Sequence, residues 1–181
     1  AGLSDLGRPD GYLERQVERW RRQLDSYSSI ENYAGPEIPH VQDVAEWLDA
    51  NRPATFEPGL IHGDYHLANV MCSYDRPALA AVIDWELAHL GDPMEDLAAF
   101  IVKLPPDSGS ERGVGLWLGA YAQAAPQHFC ARRLRWHMAV QQLLQASRAF
   151  IFQIDDWRGT VRQRLERAQL LGDAQRRLAR R

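Results

Sequence analysis

A chain of 181 residues with 45% hydrophobic and 25% charged side chains can bury one sizeable core, which excludes long disorder and low-complexity classes. No apolar run reaches the roughly 18 residues of a membrane span and no apolar leader opens the chain, so the expected setting is cytoplasmic, with no membrane partner. The net charge of −3 is unevenly split, with 19 acidic against 8 basic residues over 1–107 and 5 against 13 over 108–181; the acidic front half suits metal or cationic ligands and argues against a nucleic-acid partner.

Taken in chain order, Leu13, Val17, Trp20, Leu24 and Tyr27 recur at steps of four and three, which predicts a helix over 10–28 with Asp10 as its cap. A loop with Gly35, Pro36 and Pro39 follows. A second short helix begins at Val41, turns Val41, Val44, Ala45 and Leu48 inward, and stops at Asn51 and Pro53. Short apolar runs at 59–61, 69–72 and 79–83 read as strands, the last two joined as a hairpin through the turn-rich 73–77. Helical period returns after Gly91-Asp92-Pro93, with Met94, Leu97, Ala98, Ile101 and Val102 on one face and Asp92 as the cap. Three more helices are predicted near 111–124, 127–153 and 158–180. The whole describes a mainly helical α+β unit with a small β-hairpin.

Cys72 and Cys130 are too few for a disulfide framework and too far apart for a CxxC pair. Lys103 is the one lysine among 21 basic residues; at the end of a helical stripe it reads as a solvated residue. Trp85 and the other five tryptophans read as core or packing residues.

The chemistry concentrates between 60 and 98. Asp64 stands five residues before Asn69, and Asp84 follows fifteen residues later at a strand end. Each of these residues alone fits an ordinary loop, cap or turn. Together they fit phosphoryl transfer: Asp64 accepts the proton of an attacking hydroxyl, while Asn69 and Asp84 offer hard oxygens to Mg²⁺. The hairpin brings these oxygens back beside Asp64.

His62-Gly63-Asp64-x-His66-x-x-Asn69, followed by Ile83-Asp84-Trp85-Glu86, resembles the aminoglycoside phosphotransferase family of the protein-kinase-like fold, whose kinase counterparts are H-R-D-x-x-x-x-N and D-F-G. The resemblance implies Asp64 as catalytic base, Asn69 and Asp84 as metal ligands, and ATP or another nucleoside triphosphate with Mg²⁺. His62 and His66 would brace the loop, and Asp96 would hold it from the next helix. Glu86 is a candidate substrate contact; so are Asp155 and Asp156, for which a solvated turn is the simpler reading. Tyr12-x-x-Arg15-Gln16-x-x-x-Trp20-x-x-Gln23 is similar to the subgroup of kinase domains associated with acyl-CoA dehydrogenases. The acceptor is therefore expected to be a small-molecule hydroxyl, on an amino sugar or a hydroxyacyl thioester.

A complete enzyme of this kind also carries a Gly-rich strand pair, a strand lysine and a helical glutamate. Their absence from the sequence predicts that residues 1–181 are the C-terminal lobe alone, inactive without an N-terminal lobe and exposing apolar surface beside the catalytic segment. Two other readings compete: a metal-dependent hydrolase with His62, Asp64 and His66 converging on one ion, joined by His89 or Asp92, and a non-catalytic kinase-fold binding module.

Overall fold

The computed structural model describes residues 6–27, 29, 41–104, 111–151, 163, 164 and 166. Asp155, Asp156, Trp157 and most of the helix expected over 158–180 lie outside them. The chain divides into two compact units: Ala1–Asp10 with Thr55–Leu134, and Gly11–Ala54 with Arg135–Arg181. Among the described residues no helix is long and apolar enough to cross a membrane.

In the second unit, α1 spans Tyr12–Tyr27 and α2 spans Val41–Ala50. Of the apolar stripe of α1, Leu13, Val17 and Trp20 are buried beside Tyr12 and Gln16; the side chains of Leu24 and Tyr27 lie outside what the structure describes. On α2, Val44, Ala45 and Leu48 are buried, while Val41 at the helix start is only half-buried. Helix α5 spans Ala131–Ile151. Its predicted start at 127 is wrong, because residues 126–128 form a turn. Two buried indole N–H groups find partners, Trp20 Nε1 donating to Ser147 Oγ at 2.8 Å and Trp136 Nε1 to the Leu48 carbonyl at 2.9 Å, whereas the Trp47 Nε1–H on α2 is buried without one among the described residues. The rings of Trp20 and Trp136 thus remove a large apolar area from water without stranding a donor.

The first unit holds four short strands: β1 Gly59–Ile61, β2 Val70–Cys72, β3 Leu79–Val82 and β4 His89–Gly91. The hairpin is antiparallel β2–β3, with Val70 opposite Val82 and Met71 opposite Ala81. Strand β4 is not predicted by sequence pattern, since three residues are too few to show alternation. It pairs antiparallel with β1, Gly59 facing Gly91 and Ile61 facing His89. A side chain at Gly59 would stand 2.6 Å from Pro93 Cγ, so glycine is what lets the chain pass Pro93. Asn69 belongs to a 3-10 turn, Leu67–Asn69, and not to the strand expected from 69.

Helix α3, Met94–Lys103, buries Met94, Leu97, Ala98, Ala99 and Val102. Pro93 occupies its boundary, yet the Asp92 carboxylate still caps it, Oδ1 accepting from Met94 N–H at 3.1 Å. Asp92 is fully buried, and its Oδ2 accepts from Arg133 Nε at 2.9 Å. Helix α4 spans Glu111–Ala124. Met71, Leu79, Ile83, Trp85 and Leu87, on or beside the hairpin, are between 44% and 62% exposed. For Trp85 this excludes a core position and leaves the other half of the expectation, a packing surface.

Candidate active site

The loop after β1 is held by α3. Asp96, in the first turn of that helix, accepts from the backbone N–H of His62 at 2.6 Å and of Gly63 at 3.0 Å, one on each carboxylate oxygen. Burial pushes its pKa up, and the two N–H donors oppose that shift without cancelling it. Gly63 has φ +84°, and a Cβ there would lie 2.4 Å from the Leu87 carbonyl oxygen. Conformation and space thus both require glycine.

His62 is buried and spends both ring nitrogens on main chain. Its Nε2 lies 2.8 Å from the Ile83 carbonyl, which can only accept, so Nε2 carries the hydrogen. Its Nδ1 accepts from Asp64 N–H at 3.3 Å. His66 is arranged alike: Nδ1 accepts from Ala68 N–H at 3.2 Å, which leaves Nε2–H to donate to Asp64 Oδ2 at 3.2 Å.

Asp64 is therefore gripped on both oxygens. Lys103 Nζ lies 2.5 Å from Oδ1. This overturns the solvated reading of Lys103, whose side chain is only 20% exposed. The partner was legible in principle: Asp96, Phe100 and Lys103 fall on one face of α3 by helical spacing, and the same face that holds His62 and Gly63 reaches Asp64. Burial works to raise the Asp64 pKa, but the hydrogen bond and charge of Lys103, helped by His66, outweigh it and hold the carboxyl below its ordinary value.

Asn69 is buried, and its Nδ2 donates to the Asp64 carbonyl at 3.0 Å. That bond leaves the amide oxygen as the free acceptor of the side chain. The Asn69 carbonyl in turn accepts from Ile83 N–H at 3.0 Å, which sets the residue before Asp84 against Asn69. Asp84 has φ 68° and ψ 56°, the one positive-φ residue other than glycine among those described. Aspartate tolerates this conformation better than most residues. The Asp84 carboxylate is exposed and makes no cap bond to the 3-10 turn Trp85–Leu87. An amide oxygen and an uncommitted carboxylate, on segments joined by a backbone bond, are a donor set suited to a hard cation such as Mg²⁺. Glu86 is exposed in the same turn.

The three-ligand arrangement of His62, Asp64 and His66 is not assembled, because hydrogen bonds to main chain occupy both nitrogens of His62. Among the described residues no three His, Cys, Asp or Glu side chains stand together as a metal-ligand group. Sequence reasoning also missed a row of rings beside the loop: Tyr65 lies 5.4 Å from Phe100, which stacks on Trp117 at 4.7 Å, and Trp85 lies 4.7 Å from the His62 ring.

Acyl-CoA dehydrogenase family member 11 of Gallus gallus is 40% identical over 98 residues, and the human protein of that name 38% over 99. Each match takes in 54% of this chain and 12% of the relative, so the chain spans a small part of their length. Among solved structures, a Ralstonia eutropha JMP134 protein designated an aminoglycoside phosphotransferase superposes with TM-score 0.71 at 23% identity, over 95% of this chain and 57% of that one. A thermostable mutant of aminoglycoside phosphotransferase APH(4)-Ia, solved with AMP-PNP and hygromycin B, gives TM-score 0.60 at 18% identity, over 90% and 51%. The fold is the kinase-like one of these phosphotransferases. A model of the phosphotransferase enzyme family matches residues 1–137, and the chain belongs to that family.

Proposed function

We propose that this chain is the C-terminal lobe of an ATP- and Mg²⁺-dependent kinase of small-molecule hydroxyls, with residues 60–98 as its catalytic segment. The observation that carries this reading is the Asp64 carboxylate, fixed on both oxygens beside Asn69, with Ile83, the neighbour of Asp84, bonded back to the Asn69 carbonyl across the β2–β3 hairpin. Asp64 takes the proton of the acceptor hydroxyl, while Asn69 and Asp84 hold the cation. When bound, Mg²⁺ would neutralise charge on the nucleotide phosphates. His62, Asp96 and Gly63 keep the loop in place. In this family most of the rate comes from positioning and electrostatics, so a lobe without its nucleotide-covering partner is expected to turn over little. The exposed apolar residues around the hairpin agree with a surface meant to be covered.

Of the two acceptor classes, the hydroxyacyl thioester is the better fit. The relatives named as acyl-CoA dehydrogenase family members point that way. The test is mass spectrometry of acceptors after incubation of the full-length protein with Mg²⁺-ATP and either hydroxyacyl-CoA or an aminoglycoside. A phosphate on the acyl hydroxyl is expected. Phosphate on the aminoglycoside alone would overturn the acceptor choice, and transfer to neither would overturn the kinase reading.

A further inference from the structure

Lys103 stands outside the loop motif, yet it makes a direct contact with Asp64. It sits in the last turn of α3, where the helix C-terminus favours a cation. It is also the only lysine of a chain that otherwise uses arginine throughout. An arginine fork takes both oxygens of a carboxylate at once, whereas an ammonium takes one as a point donor. Here the second oxygen is left to His66.

We infer that Lys103 is a positioning residue for phosphoryl transfer: from α3 it fixes Oδ1 of Asp64 opposite the His66 grip on Oδ2, so that the carboxylate meets the acceptor hydroxyl in one orientation. This rests on the reading of Asp64 as the base. An ionised carboxylate offers about four lone-pair directions. Two donors from opposite edges stop its rotation and still leave room for the hydroxyl proton. Asp96, Phe100 and Lys103 then form one working face of α3: Asp96 holds the loop backbone, Phe100 packs on Tyr65, and Lys103 aims the carboxylate.

The contact is directly observable in the full-length protein. Reductive methylation with ¹³C-formaldehyde keeps the charge of each amine, and the Lys103 resonance is assigned as the one lost in Lys103→Arg. The Lys103 resonance is expected to move in Asp64→Asn and to stay in place in Asp75→Asn, a change in the exposed hairpin turn. An unmoved resonance in Asp64→Asn would overturn the contact.

In the full-length protein, with water as acceptor in slow Mg²⁺-ATP hydrolysis, Lys103→Met should lower kcat by about 10-fold or more with KM for ATP nearly unchanged, and Lys103→Arg should recover part of the loss. A purely structural lysine would instead lower Tm and leave kcat intact, which would overturn the inference. The two readings separate cleanly. Full turnover in Asp64→Asn sinks the base assignment, whereas a dead Asp64→Asn beside a fully active Lys103→Met sinks the role of Lys103 alone.

Discussion

The helical unit and the strand-bearing segment put their buried polar groups to different use. Around α1, α2 and the later part of α5, the large side chains furthest from solvent include Trp136, Leu48, Leu143 and Val17, with His137, Gln16, Gln141, Gln142 and Ser147 buried among them. In residues 59–98, His62, Asn69 and Asp92 go inside beside Ile61 and Met94, while Met71, Leu79, Ile83 and Leu87 stay out. Apolar burial yields stability roughly in proportion to area. Buried polar groups add little net stability even when bonded, but they fix atoms in place and are costly to leave unpaired. Both regions bury apolar and polar groups; what sets the second apart is that its buried polar groups order the loop that carries Asp64.

Substitutions can sharpen or break that contrast. The largest effect is on rate: Asp64→Asn in the full-length protein keeps shape but removes the proton acceptor, so single-turnover transfer should slow by about 10²–10⁴-fold with little change in Tm. Next come two changes of equal size and opposite chemistry. Trp136→Ala should cost about 3–5 kcal/mol by leaving a cavity. Asp92→Ala should cost about 3–5 kcal/mol by leaving Arg133 without its buried partner. Denaturant unfolding measures both, and an Asp92→Ala variant as stable as the parent would erase the distinction between the regions.

Gly63→Ala adds a Cβ where the Leu87 carbonyl oxygen stands 2.4 Å away, at a φ that side chains resist. A loss of about 2–4 kcal/mol is expected, together with a displaced Asp64 visible as lost turnover. The smallest effect is that of Lys103→Met, about 1 kcal/mol for a pair still partly open to solvent. Its pH dependence has a definite sign. The folded Asp64 carboxyl is held below its ordinary value, so the unfolded chain binds the extra proton first. The pair's contribution is complete above the unfolded carboxylate pKa of about 3.9 and is lost as pH falls through the lower folded value. The stability gap between parent and Lys103→Met should therefore close in acid, which a set of melts across pH would show.

How much of this was legible in the sequence follows the same division. Helices α1 to α3 were readable because their buried positions repeat at the helical period; α4 was placed although none of its described residues is buried, and α5 was placed, but its start was blurred by Pro126 and a turn that keeps local helical contacts. The spacing of Asp64, Asn69 and Asp84 pointed to chemistry because few structures require those residue types at those intervals. Strand β4 was too short to carry a pattern and exists because Leu90 and His89 find partners on β1. Lys103 and the Tyr65–Phe100–Trp117 row escaped because they join the site through space from other elements. For Trp85 the choice between core and packing surface stayed open in the sequence, because apolar size is a poor guide to burial beside an open hairpin. Local pattern carries local structure well, but contacts across 39 residues, as from Asp64 to Lys103, follow only once the helix face and the loop are seen together.

The central claim is a division of labour, with Asp64 acting on the acceptor and Asn69 and Asp84 on the cation. Calorimetric binding of Mg²⁺-ADP to the full-length protein and to its Asp64→Asn and Asp84→Ala variants tests it most directly. Near-parental affinity for Asp64→Asn and affinity weakened by about 10-fold or more for Asp84→Ala are predicted. Equal affinity in all three proteins, or a loss confined to Asp64→Asn, would contradict the assignment.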